Sequence, residues 1–161
     1  MAKIERKYLA HYINTAKTGE AAYERLGKDL EEFSPELAAQ VDTKKNILGE
    51  TSILISSYEK TGSIEPYYAE KNSPLFTRLQ EIIDDQLVLD ELKTDVVEVK
   101  LWDEAADGQY PAIKEEAFIE VSSYGGDTTG YQIPFTLHFT GVRTKGTFDV
   151  KTKTFTPATA G

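Results

Sequence analysis

The sequence has no cysteine, and its 161 residues include two histidines and one tryptophan. Without cysteine the chain offers no disulfide, no thiolate nucleophile and no zinc–thiolate site. Two histidines, His11 and His138, are too few for a three-histidine metal site, and the HExxH spacing does not occur. We therefore predict no metal and no other cofactor.

Long apolar runs are also missing. No segment approaches the ~20 apolar residues that a transmembrane helix needs, so we predict no membrane insertion. The N-terminal stretch MAKIERKYLAHYINTAK lacks the apolar core of a signal peptide. We therefore expect the chain to be synthesised and folded in a cytoplasm.

Basic residues are outnumbered, with 18 Lys and Arg against 27 Asp and Glu and a net charge of −9. Residues 84–127 hold 13 acids and 3 bases, whereas residues 128–161 hold 1 acid and 4 bases. Affinity for phosphate backbones comes from Lys and Arg, so specific nucleic-acid binding is not expected. The asymmetry fits either two differently charged solvated faces or complementary charge between copies of the protein.

Catalytic constellations are lacking as well. Asp84-Asp85 and Glu115-Glu116 are adjacent acids, and neighbours on a helix or strand point in different directions. The stretch Gly125-Gly126-Asp127-Thr128 is not followed by the Lys-Ser or Lys-Thr of a phosphate loop. No carboxylate lies near His138 in the sequence, which favours a surface or interface histidine. We predict that the chain is not an enzyme.

The sequence does contain a strong alternating stretch towards its C-terminal end. Apolar side chains occupy every second position from Tyr131 to Phe139, which is typical of a strand with one buried face. Arg143-Thr144-Lys145-Gly146 is predicted to be a turn, and Thr147–Phe155 the returning strand. The other face of the first strand is almost uncharged, which indicates that something other than bulk water covers it.

One amphipathic helix is predicted from Ser73 to about Leu87. Ser73 suits the N-cap, Pro74 suits the first helical position, and apolar residues recur at helical spacing. Arg78 is predicted to point away from the apolar face. Strands are predicted at Ala22–Leu26, Ala38–Val41, Thr51–Tyr58, Asp95–Asp103 and Glu116–Tyr124, and loops at Lys60–Asn72 and Glu104–Pro111.

These elements predict a mainly β (α+β) fold with one α-helix laid against the sheet. Residues 1–20 are predicted to form an N-terminal arm, residues 21–157 the β domain, and residues 158–161 a C-terminal tail. The segment Asp42–Glu50, between two predicted strands, is expected to be a polar hairpin loop or an extended tongue.

Five segments follow one another along the chain. They are EFSPELAAQVDTKKNILGETS, the capped helix SPLFTRLQEII, DVVEVKLWD followed by YPA, IEVSSYGGDTTG, and the closing FTGVRTKGTFDVKTKTFTP. Taken in order, they resemble the tail tube protein (major tail protein) of long-tailed bacteriophages. The resemblance covers roughly residues 22–157, and its most telling part is a strand ending in glycine, a basic turn, GTFD and then TFT.

The resemblance implies a β-sandwich or barrel-like core with a flanking helix. It also implies homohexameric rings that stack into a tube, with a tape-measure protein, a tail terminator and distal tail proteins as partners. Genomic DNA would pass through without specific binding, which agrees with an acidic chain because an acidic wall repels phosphate. The expected location is the virion tail, after synthesis in the cytoplasm of the host bacterium.

Candidate residues are assigned to three roles, the first by position within the resemblance and the other two by the pattern of charged and polar residues along the strands. The candidates for the loop that joins stacked rings are Asp42, Lys44, Lys45, Asn46 and Glu50. The candidates for the wall of the lumen are Glu98, Glu120, Gln132 and Thr136. A charge contact with the acidic middle of a neighbouring copy is assigned to Arg143 and Lys145. The strands that contain Val96 and Ile119 are expected to pair with neighbouring subunits through free edges.

Two alternatives stay open from the sequence. The first is the tube subunit of a contractile tail, of a phage-tail-like bacteriocin or of a type VI secretion system, which shares the fold. The second is a carbohydrate- or protein-binding β-sandwich with a stacking platform of Trp102, Tyr67 and Tyr68. A core or interface role is the favoured interpretation of Trp102.

Overall fold

A computed structural model of the chain describes residues 2–27, 33–103 and 108–158. The described residues form eleven strands, one α-helix and two single-turn 3-10 helices at Arg6–Tyr8 and Leu89–Leu92. The helix, α1, spans Pro74–Asp85. The strands are β1 (Leu9–Asn14), β2 (Tyr23–Leu26), β3 (Ala39–Lys45), β4 (Thr51–Tyr58), β5 (Thr61–Ile64), β6 (Lys93–Lys100), β7 (Gln109–Val121), β8 (Gly125–Asp127), β9 (Gly130–Gln132), β10 (Phe135–Asp149) and β11 (Thr154–Pro157).

Seven of these strands form one antiparallel sheet in the order β11-β10-β7-β6-β1-β2. Strand β5 pairs with the first part of β10, and β11 pairs with its last part. Strands β3 and β4 form a separate hairpin, and β8 and β9 form a second, smaller one. The prediction of a mainly β fold with one α-helix is confirmed.

The large sheet curls on itself. In a flat sheet, β2 and β10 would lie about 19 Å apart, because neighbouring strands are separated by about 4.8 Å. The ring of Phe148 on β10 nevertheless lies 5.8 Å from the ring of Tyr23 on β2 and 4.6 Å from that of Tyr12 on β1. The sheet therefore bends until its two halves share a core.

Two hydrophobic cores stabilise this arrangement, one on each face of the sheet. The first lies between the sheet and α1, and includes Leu75, Leu79, Ile119, Phe135 and Leu137. The second fills the inside of the curl, and includes Ala10, Tyr12, Tyr23, Val97, Val99, Ala112 and Phe148. Strands β1, β6 and β7 are thus buried on both faces along part of their length, which explains their runs of consecutive apolar residues.

Helix α1 begins where the sequence predicts. Ser73 is the N-cap, and its hydroxyl accepts a hydrogen bond from the Phe76 backbone N–H at 3.5 Å. The carboxylate of Glu24 on β2 adds a second acceptor, taking hydrogen bonds from the Ser73 hydroxyl and the Leu75 N–H. The helix ends at Gln86, which adopts a left-handed conformation.

The prediction that Arg78 points away from the core is wrong. Its side chain is 4% exposed and lies between α1 and the sheet. The guanidinium donates hydrogen bonds to the backbone oxygens of Asn14 and Lys93 and to the Thr94 hydroxyl. Burial lowers the pKa of Arg78 from its usual value. A guanidinium suits this position because its several donors satisfy acceptors from two strands at once.

The predicted turn at Arg143–Gly146 is also wrong. Strand β10 continues through it to Asp149, with a bulge between Phe139 and Arg143. Gly146 lies within the strand, and a Cβ there would come within 2.2 Å of the Thr156 carbonyl oxygen on β11. The glycine therefore permits close approach of two backbones and does not make a turn. The returning strand is shorter than predicted and begins at Thr154.

Three further predictions are corrected by the strand assignments. Part of the predicted N-terminal arm, Leu9–Asn14, is an interior strand between β2 and β6. The predicted loop at Lys60–Asn72 contains β5. The predicted turn at Glu104–Pro111 ends in β7, which begins at Gln109, while residues 104–107 lie outside the described part.

The strands of Val96 and Ile119 do not have free edges. Val96 is on β6, which pairs with β1 and β7, and Ile119 is on β7, which pairs with β6 and β10. The edges of the sheet belong to other strands, namely β2 on one side and β5 with β11 on the other. Within the described residues, no helix has the length and apolarity required to cross a bilayer.

Candidate assembly surface

The hairpin of β3 and β4 projects from the rest of the molecule. Every residue of both strands is exposed to solvent. Its base is fixed by hydrogen bonds between Glu59 and Ala38 and between Thr61 and Glu36. Of the two forms predicted for Asp42–Glu50, a polar hairpin loop or an extended tongue, the structure shows an extended hairpin in which β3 continues to Lys45 and residues 46–50 form the turn.

The hairpin has one apolar face. Val41 pairs with Ile55 and Thr43 pairs with Ile53, which places these three aliphatic side chains together. Val41, Ile53 and Ile55 are each 54–65% exposed. The opposite face carries Asp42 paired with Leu54 and Lys44 paired with Ser52. Isolated exposed aliphatic residues are ordinary, but a row of them on a projecting element is typical of an interaction surface.

The turn at the tip is ordered by its own side chains. The Asn46 side-chain oxygen accepts hydrogen bonds from the backbone N–H groups of Leu48 and Glu50, at 2.9 and 3.0 Å. The Asn46 amide donates to the Glu50 carboxylate at 2.8 Å, and Gly49 has a φ of +83° that favours glycine. This turn holds Ile47 and Leu48 in solvent at 102% and 77% exposure.

All five residues predicted for the loop between rings therefore lie on this one hairpin. Asp42, Lys44 and Lys45 are on β3, and Lys44 and Lys45 directly precede the turn. Asn46 and Glu50 form the turn itself. Their role in contacts between rings stays a prediction. The residues that the sequence prediction omitted are the exposed aliphatic ones, which alternation along β3 and β4 could have identified.

The four residues predicted for the lumen wall do not share one surface. Glu120 and Thr136 are directly opposed on β7 and β10, so they lie on the same face of the sheet. The imidazole Nε2 of His138 lies 2.7 Å from the Glu120 carboxylate on this face. Gln132 is on β9, where its amide lies near Asp127 and Thr129.

Glu98 lies on the opposite face of the sheet from Glu120. It pairs with Ile113 of β7, and odd-numbered residues of β7 point towards the core beneath α1. Its carboxylate lies 3.4 Å from the Lys60 ammonium and 3.8 Å from His11 Nε2. The structure therefore places Glu98 on a different face from Glu120 and Thr136.

Lys60 also contacts Glu115, and this pair is the centre of a buried charged cluster. The Glu115 side chain is 4% exposed, and its carboxylate lies 2.7 Å from Lys60 Nζ and 3.5 Å from Arg143 Nε. Arg143 is thus a strand residue that contacts an acid of its own chain, whereas Lys145 on the same strand is opposite Ile113 and exposed. Alternation along β7 places Glu115 on the apolar face with Ala117 and Ile119, a signal that could have identified it.

Neighbouring basic side chains keep the Glu98 carboxyl ionised. The contact with His11 is the main cause that lowers the pKa of Glu98 to about 2, and Lys60 adds to it, although burial acts in the opposite direction. The cluster gives Glu98 a structural role inside one subunit.

The three aromatic residues considered for glycan binding differ in their surroundings, and their role as a platform stays a prediction. Tyr67 packs against the core, with its ring 5.8 Å from that of Phe135, and burial raises its pKa. Tyr68 lies against Gly130, and its hydroxyl is 3.5 Å from the Thr129 hydroxyl. Trp102 is 44% exposed just beyond the end of β6. Tyr67 is therefore partly buried against the core, and Tyr67 and Tyr68 both line one pocket.

No group of three or more His, Asp or Glu side chains within the described ranges is arranged to hold a metal ion. Of the adjacent acids considered as catalytic pairs, Glu115 and Glu116 point to opposite faces of β7. Glu115 is buried, and Glu116 lies near Lys93 on the other face. Comparison of the sequence with protein-family models and with curated proteins finds no match.

Proposed function

We propose that this chain is a structural subunit that associates with copies of itself through the β3–β4 hairpin, as the tail tube protein of a long-tailed bacteriophage. The observation that carries the proposal is the projecting hairpin, which is exposed over its whole length and has an aliphatic face and tip. Support also comes from the curled antiparallel sheet with one flanking helix, and from the sequence resemblance across residues 22–157.

The energetics favour a repetitive assembly over an isolated pair. Fully burying a Val, Leu or Ile side chain contributes roughly 1.5–3 kcal/mol, so the five exposed aliphatic residues on the hairpin face and tip contribute on the order of 10 kcal/mol. Association of two proteins costs roughly 4–15 kcal/mol in lost freedom and side-chain ordering. One hairpin contact is therefore marginal, and many contacts in a closed ring or stacked tube stabilise one another.

In this proposal the subunits form hexameric rings that stack into a tube within the virion tail. The face with Glu120 and Thr136 is the candidate for the lumen, because it is polar and carries carboxylates from β7. Such a wall repels phosphate and lets DNA pass without specific binding. The tape-measure, tail terminator and distal tail proteins are the proposed partners.

Sedimentation velocity over a range of concentrations, with negative-stain electron microscopy, tests the proposal. We expect the wild-type protein to form rings or tubes as its concentration rises. The double variant Ile53→Glu/Ile55→Glu should remain monomeric, because it places two charges on the apolar face. Ser52→Glu, on the opposite face of the same strand, is the matched control and should assemble. A wild-type protein that is monomeric at every concentration and salt would refute the proposal.

A further inference from the structure

A second exposed apolar surface lies at the C-terminal end of α1. It is a groove between the helix end and the end of β7, and its lining includes Ile82, Ile83, Leu87, Val88, Val121 and Tyr124. Val88 and Tyr124 are 61% and 63% exposed, and neighbouring Leu89 is 80% exposed. These side chains are as open to water as those of the hairpin, so they too would gain from being covered.

Acidic residues adjoin the groove lining along the chain, and we call them its acidic rim. Asp84 and Asp85 are exposed in the last turn of α1, and Asp90 and Glu91 follow within the next turn of chain. Residues 84–91 include no Lys or Arg, and the last turn of the helix has no basic residue. Carboxylates at this position oppose the helix dipole, whose negative end is at the C-terminus. A cation brought to this rim would therefore offset an unfavourable arrangement within the subunit.

The hairpin tip combines exposed apolar residues with basic ones, which complements the apolar groove and its acidic rim. Ile47 and Leu48 are exposed in the turn, and Lys44 and Lys45 directly precede it on β3. The hairpin strands are exposed throughout, so the tip does not reach the groove of its own chain. We infer that the groove at the end of α1 receives the β3–β4 hairpin tip of a second copy of this chain, with Lys44 and Lys45 facing Asp84 and Asp85.

This inference rests on the proposed function and adds its acceptor surface. The hairpin and the groove are different surfaces, so each copy provides one donor and one acceptor. In a head-to-tail arrangement, each copy donates its tip to one neighbour and accepts the tip of another, and such contacts continue into rings or filaments. The apolar part supplies the attraction, and the opposite charges select the partner and the orientation.

Charge reversal on each side tests the pairing. Lys44→Glu/Lys45→Glu reverses the donor, and Asp84→Lys/Asp85→Lys reverses the acceptor. We expect each double variant alone to associate at least tenfold more weakly than the wild type in low salt, because like charges then meet. A mixture of the two variants should co-assemble, since each then offers a charge that the other lacks. The quadruple variant should assemble alone for the same reason.

An apolar variant of the groove gives a second measurement. Val88→Glu should weaken association at least tenfold, whereas Val142→Glu is the matched control because Val142 is 58% exposed on another part of the molecule. Circular dichroism and thermal unfolding establish that each variant is folded. An equal loss in Val88→Glu and Val142→Glu would overturn the assignment of the groove.

The outcomes distinguish this inference from the proposed function. If the wild type assembles and both charge-reversed variants assemble equally well, the groove is not the acceptor but the structural function stands. If the single-side variants lose association and neither the mixture nor the quadruple variant regains it, the two surfaces do not pair. If the wild type never associates, both the groove assignment and the proposed function fail.

Discussion

At the scale of single residues, Lys60 forms ion pairs with two carboxylates. Its ammonium lies 2.7 Å from Glu115 and 3.4 Å from Glu98, and 4.8 Å from the centre of the Phe139 ring. Its side chain is 13% exposed, so its charge is only weakly screened by water. Removal of this charge would leave Glu115 buried with Arg143 as its remaining cationic neighbour.

We therefore expect Lys60→Met to lower the free energy of unfolding by about 3 kcal/mol, because breaking the buried pair leaves Glu115 with only a longer contact to a half-exposed arginine. Urea unfolding at neutral pH measures the change. Lys93→Met is the matched control, since the Lys93 pair with Glu116 is half exposed at the lysine and should contribute less than about 1 kcal/mol. Equal effects of the two substitutions would contradict a special role for Lys60.

Glu98 gives a prediction about pH. Its folded pKa of about 2 is below the ordinary value of 4.5, so its ionised form stabilises the fold above pH 4.5 and this contribution is lost as pH falls through 2. With solvent screening taken into account, Glu98→Gln should be about 1–2 kcal/mol less stable than the wild type near pH 6. The difference should decrease as the pH falls and nearly vanish at pH 2.

Urea unfolding of both proteins between pH 2 and pH 7 measures this difference. Glu120→Gln is the matched control, because the Glu120 side chain is 55% exposed and its ion pair should contribute little at any pH. A stability difference for Glu98→Gln that does not change with pH would show that the substitution acts through packing and not through charge.

At the scale of elements, the sequence predicted those features whose signals are local. The N-cap, the proline and the apolar stripe of α1 all lie within a few residues, and the helix begins as predicted at Ser73. Strand β10 was missed in part because Gly146 and its basic neighbours have the composition of a turn. The reason for that glycine is the backbone of β11, which comes from a later part of the chain and is not visible locally.

The residues of the candidate site also differ in whether local sequence signals predict their position. The five hairpin residues were predicted together because they are contiguous and a hairpin brings its own ends into contact. The lumen candidates could not be assigned to one face from the sequence, because the face that Glu98 occupies relative to Glu120 depends on the register between β6 and β7. Alternation within one strand fixes its two faces but does not specify how those faces align with the next strand.

Arg78 joins α1 to the sheet, and its loss should loosen that contact. Arg78→Ala should lower the free energy of unfolding by about 3 kcal/mol, because the Lys93 backbone oxygen and the Thr94 hydroxyl lose a donor in a buried place and Asn14 loses one of its two. Thr77→Ala, at the exposed neighbouring position on the same helix, should change it by less than about 0.5 kcal/mol. Guanidinium chloride unfolding measures both, and similar values for the two would be inconsistent with this role.

At the scale of the whole molecule, assembly and folding should be separable. Replacing residues 42–54 with an Asn-Gly turn removes much of the hairpin but no core side chain, because the hairpin strands are exposed. We expect the thermal unfolding midpoint to stay within about 3 °C of the wild type, a shift of under about 1 kcal/mol, while sedimentation shows no association. A much lower midpoint would mean that the hairpin belongs to the folding unit.

The charge of the proposed lumen gives a prediction for the assembled tail. Glu120→Lys reverses a carboxylate on the face shared with Thr136 and should slow DNA passage, because a basic wall holds phosphate. The measurement is the rate of DNA ejection from particles whose tails are intact by electron microscopy. Glu120→Gln is the control for loss of charge without reversal and should have a smaller effect. Unchanged ejection by Glu120→Lys would remove this face from the lumen.

The interior position of β1 has a consequence for the timing of folding. Its register with β6 joins Leu9 to Lys100, and the hydrogen bond from Thr94 to Asn14 spans 80 residues of sequence. Contacts between such distant residues are slow to form, because a long loop must close before any stabilisation is gained. On the ribosome, β1 can pair with β2 early, but its pairing with β6 waits until residue 100 has emerged. The exposed aliphatic hairpin is made in that interval, so in the proposed assembly premature contacts between nascent chains would compete with completion of the sheet.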